Sequence, residues 1–300
     1  MGDQGPATRS VIMNMRSRLS RLIAELERDR SLYAPEKWRK RLDALDRIES
    51  CLIHEDAQAD KAVLDRASKI GAALEAANRE FCESMRRDIR AGCGAQRLMQ
   101  CAHELDHDDK SIDPARGENY DDLDVLVSGV LQLDEPGGAI AELAPEMVFY
   151  QPTPARQIFE FIQGLRLDEG DVLVDLGAGL GHVPLLAAIC SPAQCIGIEC
   201  ESAYVASARK SANDLKLGNA TFFEQDVRRT NLSQGTVFYL YTPFTGTLLH
   251  EVVDMLRHEA SQRELRIGTL GPCTAIVAKE GWLQTSDTLT PHKIVMFRSI

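Results

Sequence analysis

One stretch concentrates the residue types that could do chemistry: Asp171-Val-Leu-Val-Asp175-Leu-Gly177-Ala178-Gly179-Leu-Gly181-His182. An apolar run leads into a carboxylate, three glycines follow at every second position, and a second apolar run comes after them. The pattern predicts a buried parallel strand, a tight turn and a helix N-terminus, the nucleotide-binding corner of an α/β sheet. Glycines there permit positive φ and let a ligand approach the main chain closely. Asp175 selects the ligand by charge. A carboxylate aimed into the turn repels a pyrophosphate and attracts an ammonium or a sulfonium. A dinucleotide fingerprint also needs a glycine three residues after its second one, and that position holds His182. A nicotinamide cofactor is therefore disfavoured. The plain alternative is a strand-to-helix turn with no ligand.

Two further acids end two further predicted strands. Cys195-Ile-Gly-Ile-Glu199 brings a carboxylate roughly twenty residues past the glycines, the spacing of a group that holds two ribose hydroxyls. Ala220-Thr-Phe-Phe-Glu-Gln runs into Asp226-Val227, and Val237-Phe-Tyr-Leu-Tyr241 makes a fourth strand that leads to Thr242-Pro243-Phe244. Each acid alone reads as a solvated strand end. Three of them on successive strands point to one binding site.

The alternation of Gly177, Gly179 and Gly181 after Asp175 resembles motif I of the class I S-adenosylmethionine-dependent methyltransferases. The resemblance implies S-adenosylmethionine as cofactor, with Asp175, Gly177, Ala178, Gly179 and Gly181 in the turn. It further implies Glu199 on the ribose, Asp226 on the adenine amino group and Val227 against the ring. The segment Tyr241-Thr-Pro-Phe244 sits where many amino-group methyltransferases carry Asn/Asp-Pro-Pro-Tyr/Phe, with Tyr in place of the Asn or Asp that would accept an amine hydrogen. Tyr241 and Tyr150 either bring hydroxyls to the reacting centre or pack. From about 147 to 245 the order of Tyr150-Gln-Pro-Thr, the glycine turn and Gly197-Ile-Glu199 is similar to that of the non-SET histone-lysine methyltransferases. That similarity implies a lysine acceptor, and it does not extend to the N-terminal region.

The elements that position these residues follow from periodicity. Ile12, Met15, Leu19, Leu22 and Leu26 repeat at helical spacing, and Pro35 opens a second helix with Trp38, Leu42, Leu45, Ile48 and Leu52. Leu64, Ala67, Ile70, Leu74, Ala77, Phe81, Met85 and Ile89 mark a third. Residues 1–110 are expected to form a helical bundle, either a plain scaffold or a surface for dimerisation or docking. Residues 111–146 read as a linker or a lid, and 147–300 as the cofactor-binding domain. Thr153 is placed as N-cap of a helix with Pro154 at its first position. Leu265–Leu270, Thr274–Ala278 and Ile294–Phe297 are expected to complete the sheet. The fold class is α/β, a Rossmann-like seven-strand methyltransferase sheet preceded by an α-helical bundle.

Composition narrows the partners. The formal net charge is −11, and acids and bases balance before residue 110, so the excess lies in the catalytic half. Such a surface suits a cationic acceptor better than nucleic acid, whose phosphates need a basic footprint. No apolar run approaches a membrane span, and no signal core or myristoylation pattern is present, so a cytoplasmic protein is expected. The eight cysteines show no paired spacing and read as reduced thiols. Cys101-Ala-His103-Glu-Leu-Asp-His107 lacks a second ligand pair, so no metal is assigned. The expectation is methyl transfer to a nitrogen or oxygen of a protein or small molecule, with a homodimer through the bundle as an option. The alternative is a catalytically silent cofactor-binding module that acts through its helices.

Overall fold

The computed structural model describes residues 18–53, 60–108, 120–133, 146–148 and 150–300, with backbone alone for 105–108. Ile12 and Met15 of the first stripe, and residues 111–119 and 134–145 of the expected linker, lie outside the described residues. The chain divides into two compact units, Met1–Ser84 and Met85–Ile300.

In the first unit, α1 (residues 18–28) is followed by α2 (Trp38–Ile53) and the first part of α3 (Lys61–Arg90). Leu19, Leu22, Ile23 and Leu26 of α1 pack with Ala44 and Ile48 of α2 and with Ala67 and Leu74 of α3. Pro35 does not start α2 directly. It opens a 3-10 turn, Pro35–Lys37, and the α-helix begins at Trp38. The buried face of α2 is Trp38, Arg41, Ala44 and Ile48, while Leu52 from the expected stripe is 40% exposed. Arg41 occupies a core position because its guanidinium donates to the carbonyls of Leu32 and Ala34 at 2.7 and 2.6 Å and to Asn78 Oδ1 at 2.6 Å.

The second unit carries the sheet. Its strands are β1 (Val172–Leu176), β2 (Gln194–Glu199), β3 (Ala220–Glu224), β4 (Val237–Tyr241), β5 (Arg266–Leu270), β6 (Leu283–Gln284) and β7 (Val295–Ser299). Their order is β3-β2-β1-β4-β5-β7-β6, and β7 runs antiparallel to both neighbours. Strand order reverses between β1 and β4, so a crevice opens at the carboxyl ends of those two strands. Asp175 sits at that edge, in register with Gly197 on one side and Tyr239 on the other. The helices are α4 (Gly94–Asp108), α5 (Asp122–Leu131), α6 (Ala155–Leu165), α7 (His182–Cys190), α8 (Ser202–Leu215), α9 (Gly246–Ala260) and α10 (Thr274–Val277). Val174, Leu176, Phe238, Leu240 and Ile267 meet Leu249, Val252, Val253 and Leu256 of α9 in the core on one face.

Four expectations change. The boundary of the helical region falls at Ser84/Met85 rather than near 110, since α4 packs on α6 and α7 within the second unit. Of the expected linker, 122–131 is helix α5, seated on α6. Thr274–Ala278 was expected as a strand and is the short helix α10, while the strand that pairs with β7 is Leu283–Gln284. A five-residue apolar run does not distinguish strand from buried helix by periodicity. Here Thr274 Oγ1 turns back to Thr269 Oγ1 at 2.9 Å, and the chain coils instead of extending. Thr153 is not a cap either. Its hydroxyl meets the Tyr239 hydroxyl at 2.8 Å, and the first amide of α6, Ala155 N, donates to Asp124 Oδ1 at 2.7 Å. Among the described residues no helix is long and apolar enough to cross a membrane.

Packing also dictates the composition beside the turn. A Cβ on Gly197 would lie 2.5 Å from Phe222 Cδ1 and 3.0 Å from Ala178 Cβ. Gly197→Ala should therefore lower thermal stability by about 1–3 kcal/mol through overpacking. The pair Gly197→Ala/Phe222→Leu should lose less than the sum of the single changes, as chemical denaturation of the four proteins would measure.

Candidate active site

A cavity of about 830 Å³ opens where β1, β2 and β4 end. Asp175, Gly177, Ala178, Glu199, Asp226, Val227, Tyr150 and Tyr241 line it, so eight of the ten residues singled out from sequence share one wall or another of a single space. Gly179 and Gly181 do not line it.

The turn explains that difference. Gly177 has φ +90° and Gly179 φ +52°, conformations that L side chains rarely adopt. The room above them is filled by protein. A Cβ on Gly179 would lie 1.9 Å from Tyr150 Cε2, and one on Gly177 would lie 2.3 Å from Pro243 Cβ. The glycines were expected to make space for a ligand, and instead they admit an aromatic ring and a proline that form the cavity wall. The amides of the turn are also spent. Gly177 N and Ala178 N donate to the Ile198 carbonyl at 2.9 and 3.0 Å, and Gly179 N donates to Glu199 Oε2 at 2.8 Å. A pyrophosphate would find no free amide at residues 177–179 and would face a carboxylate. The geometry thus supports the exclusion of a dinucleotide on grounds independent of glycine spacing.

Asp175 is 4% exposed, and among the described residues no hydrogen-bond donor or cation meets its carboxyl group. Burial raises its pKa well above the ordinary carboxylate value, and the nearby Glu199 charge adds to the shift. Glu199 is held differently. Its Oε1 accepts from Cys200 N at 2.7 Å and Glu201 N at 2.9 Å, which leaves Oε2, with one amide bond, as the oxygen with spare lone-pair capacity. Cys200 lines the same cavity, and burial together with Glu199 pushes its thiol up to about 12, so it stays protonated.

Tyr150 anchors the opposite wall. Its hydroxyl lies 3.0 Å from His182 Nδ1. Burial lowers the His182 pKa to about 4, so the ring is neutral, and burial raises that of Tyr150. Tyr204 packs against Tyr150 with ring centroids 5.1 Å apart and the ring planes tilted by 47°. The Tyr150 hydroxyl is thus committed to the wall.

Asp226 caps the 3-10 turn Val227–Arg229 and is gripped by Arg228, which holds its pKa below the ordinary value. Tyr241 ends β4, and Thr242 beyond it takes φ +38°, held by a bond from its hydroxyl to the Leu270 carbonyl at 2.9 Å. Glu146 reaches this loop from upstream. Its carbonyl accepts from Thr245 N at 2.8 Å, and its carboxylate accepts from Thr247 N and Leu248 N at 3.0 and 2.9 Å. That carboxylate supplies the cap that the Thr245 side chain does not. Sequence reading missed Glu146, His182 as a wall residue, Tyr204 and Arg228. Only Arg228, two residues past a singled-out acid, carried a local signal. Among the described residues no group of three or more His, Cys, Asp or Glu is arranged to hold a metal ion, and His107 lies outside the described side chains.

A sheet of this order, with an acid and a glycine turn ending β1 and a second acid ending β2, resembles that of the class I S-adenosylmethionine-dependent methyltransferases. Residues 146–260 match the family model described as "Histone methylation protein DOT1", so the chain resembles the non-SET histone-lysine group across the cofactor turn and the loop after β4. Among solved structures, an RNA methyltransferase from Salinibacter ruber in complex with S-adenosyl-L-homocysteine is 24% identical. It covers 50% of this chain and 92% of its own, with a TM-score of 0.41. A SAM-dependent methyltransferase from Aquifex aeolicus is 15% identical over 48% of this chain and 89% of its own, with a TM-score of 0.39. A search of curated proteins finds no match.

The buried carboxyl of Asp175 gives a signed prediction. A raised folded pKa means that its contribution to stability is fully present below the unfolded value and is lost as pH rises through the folded one. The protein without cofactor should therefore lose melting temperature with rising pH more steeply than Asp175→Asn, which should melt higher at pH 8. Equal pH profiles would show that Asp175 carries no burial penalty.

Proposed function

We propose that this chain methylates a nitrogen nucleophile of a protein, with a lysine ε-amino group as the acceptor. The observation that carries the reading is the charge of the cavity. Glu146, Asp175, Glu199, Glu201, Asp226 and Glu251 line it, against Arg228 as the one lining guanidinium among the described residues. Such a field concentrates cations and repels the phosphates of a nucleic acid. The match to a histone-methylation family over residues 146–260 supports the same acceptor class.

The residues present fit the cofactor. The unpartnered, buried Asp175 offers a seat for an ammonium, and Glu199 Oε2 keeps capacity for a ribose hydroxyl. Asp226 would face the adenine amino group, and Val227, 5% exposed, would lie against the ring. Gly177, Ala178, Gly179 and Gly181 shape the turn, of which Gly177 and Ala178 reach the cavity. When bound, S-adenosylmethionine supplies a methyl group already activated on a sulfonium. The chain's task is then to hold the acceptor nitrogen in line with it and keep water out, a positioning effect that supplies on the order of 7–11 kcal/mol. Tyr241, Pro243 and Phe244 form the acceptor side of the cavity, with the strained Thr242 between them. In this reading Tyr241 orients the acceptor through its hydroxyl, in place of the Asn or Asp of the amino-group motif, and Tyr150 serves as wall.

Methyl-labelled S-adenosylmethionine incubated with the protein and core histones, or with an extract separated into protein, RNA and metabolite fractions, tests the proposal. Label recovered as ε-N-methyl-lysine after acid hydrolysis is the expected result, and label confined to RNA or metabolites contradicts it. Tyr241→Phe should lower kcat about tenfold or more, while S-adenosylhomocysteine affinity stays at the wild-type value. An unchanged rate would remove Tyr241 from the acceptor site.

A further inference from the structure

Arg228 engages both oxygens of the Asp226 carboxylate. The backbone amide of Arg228 donates to Oδ1 at 2.9 Å, its Nε lies 3.0 Å from both oxygens, and its Nη2 lies 2.5 Å from Oδ2. A carboxylate offers about four lone-pair sites, and these three N–H groups take most of them. An adenine amino group must therefore compete with the guanidinium for Asp226. A second seat stands close by, since Arg228 Nη1 lies 3.8 Å from Glu251 Oε2 on α9. The Arg228, Asp226 and Glu251 side chains are 53%, 32% and 48% exposed, so water screens both pairs and exchange between them is easy. All three residues line the cavity.

We propose that Arg228 is a latch that sets cofactor affinity: it occupies Asp226 in the empty site and transfers to Glu251 when adenine arrives. The proposal rests on the reading of Asp226 as the adenine acceptor. A protein whose binding-competent state is a fraction of the population binds more weakly by that fraction. The latch thus lowers affinity in the wild-type chain and shifts charge toward α9, whose N-terminus follows the acceptor loop, each time the site fills. Arginine suits the role because its planar fork meets a carboxylate through two nitrogens and stays charged at any working pH.

Calorimetric titration with S-adenosylhomocysteine tests this, using the wild-type chain, Arg228→Ala, Arg228→Met, Asp226→Ala and Glu251→Gln, with the melting temperature of each as a check on folding. Both Arg228 variants should bind about fivefold tighter than wild type. Asp226→Ala should bind about tenfold more weakly, and Glu251→Gln should bind more weakly because the second seat has lost its charge. Wild-type or weaker affinity in both Arg228 variants, with Asp226→Ala weakened, overturns the latch and leaves the adenine reading intact. Unchanged affinity in Asp226→Ala overturns that reading and the latch with it. Unchanged affinity in Glu251→Gln overturns the transfer to α9.

Discussion

A carboxyl group without a hydrogen-bond partner, in the cavity wall at the carboxyl end of the central strand, is the constraint on which the rest of the site depends. Leaving a largely buried polar group uncompensated is costly, and Asp175 makes no hydrogen bond among the described residues. The cost becomes useful when a cation fills the space beside it. Around Asp175 the main-chain donors of the turn are already bound to the Ile198 carbonyl and to Glu199, so nothing in the turn invites an anion. The same architecture that cradles a pyrophosphate in dinucleotide enzymes is here closed to it, and the ligand that remains chemically reasonable carries positive charge.

Rigidity of that seat comes from aromatic and histidine side chains rather than from the glycines themselves. Tyr150 lies on Gly179, bonds to a neutral His182 at the first turn of α7 and packs in a tilted arrangement against Tyr204 from α8. Three elements thereby fix one ring, and the ring fixes the turn. On the acceptor side Glu146 performs the matching service, tying a segment that precedes the sheet to the N-terminus of α9. The cavity is therefore bounded by two cross-braces, one at the cofactor turn and one at the loop after β4.

Much of this was legible in residue order. The carboxylates that end β1, β2 and β3 and the alternating glycines identified the crevice, because strand periodicity and strand-end acids are local signals. What stayed hidden depends on contacts distant in sequence. Thr153 looks like an N-cap until Tyr239 takes its hydroxyl and Asp124 supplies the cap instead. Arg41 looks like a surface position until three elements of the first unit present acceptors to it. Thr274–Ala278 has strand composition, yet Thr274 N turns back to the Gly271 carbonyl and Thr274 Oγ1 to Thr269 Oγ1, and the chain coils. The helical region looked continuous to residue 110 because amphipathic stripes do not say which core they face. Met85 onward faces the sheet unit.

In the proposed function Asp175, whose pKa burial raises, seats the cofactor's cation. Calorimetry of S-adenosylmethionine binding between pH 5 and 8, in buffers of different ionisation enthalpy, measures the protons exchanged on binding. Proton release and affinity that rises with pH are expected in the wild-type chain, with neither in Asp175→Asn. Identical proton exchange and pH dependence in the two proteins would contradict it.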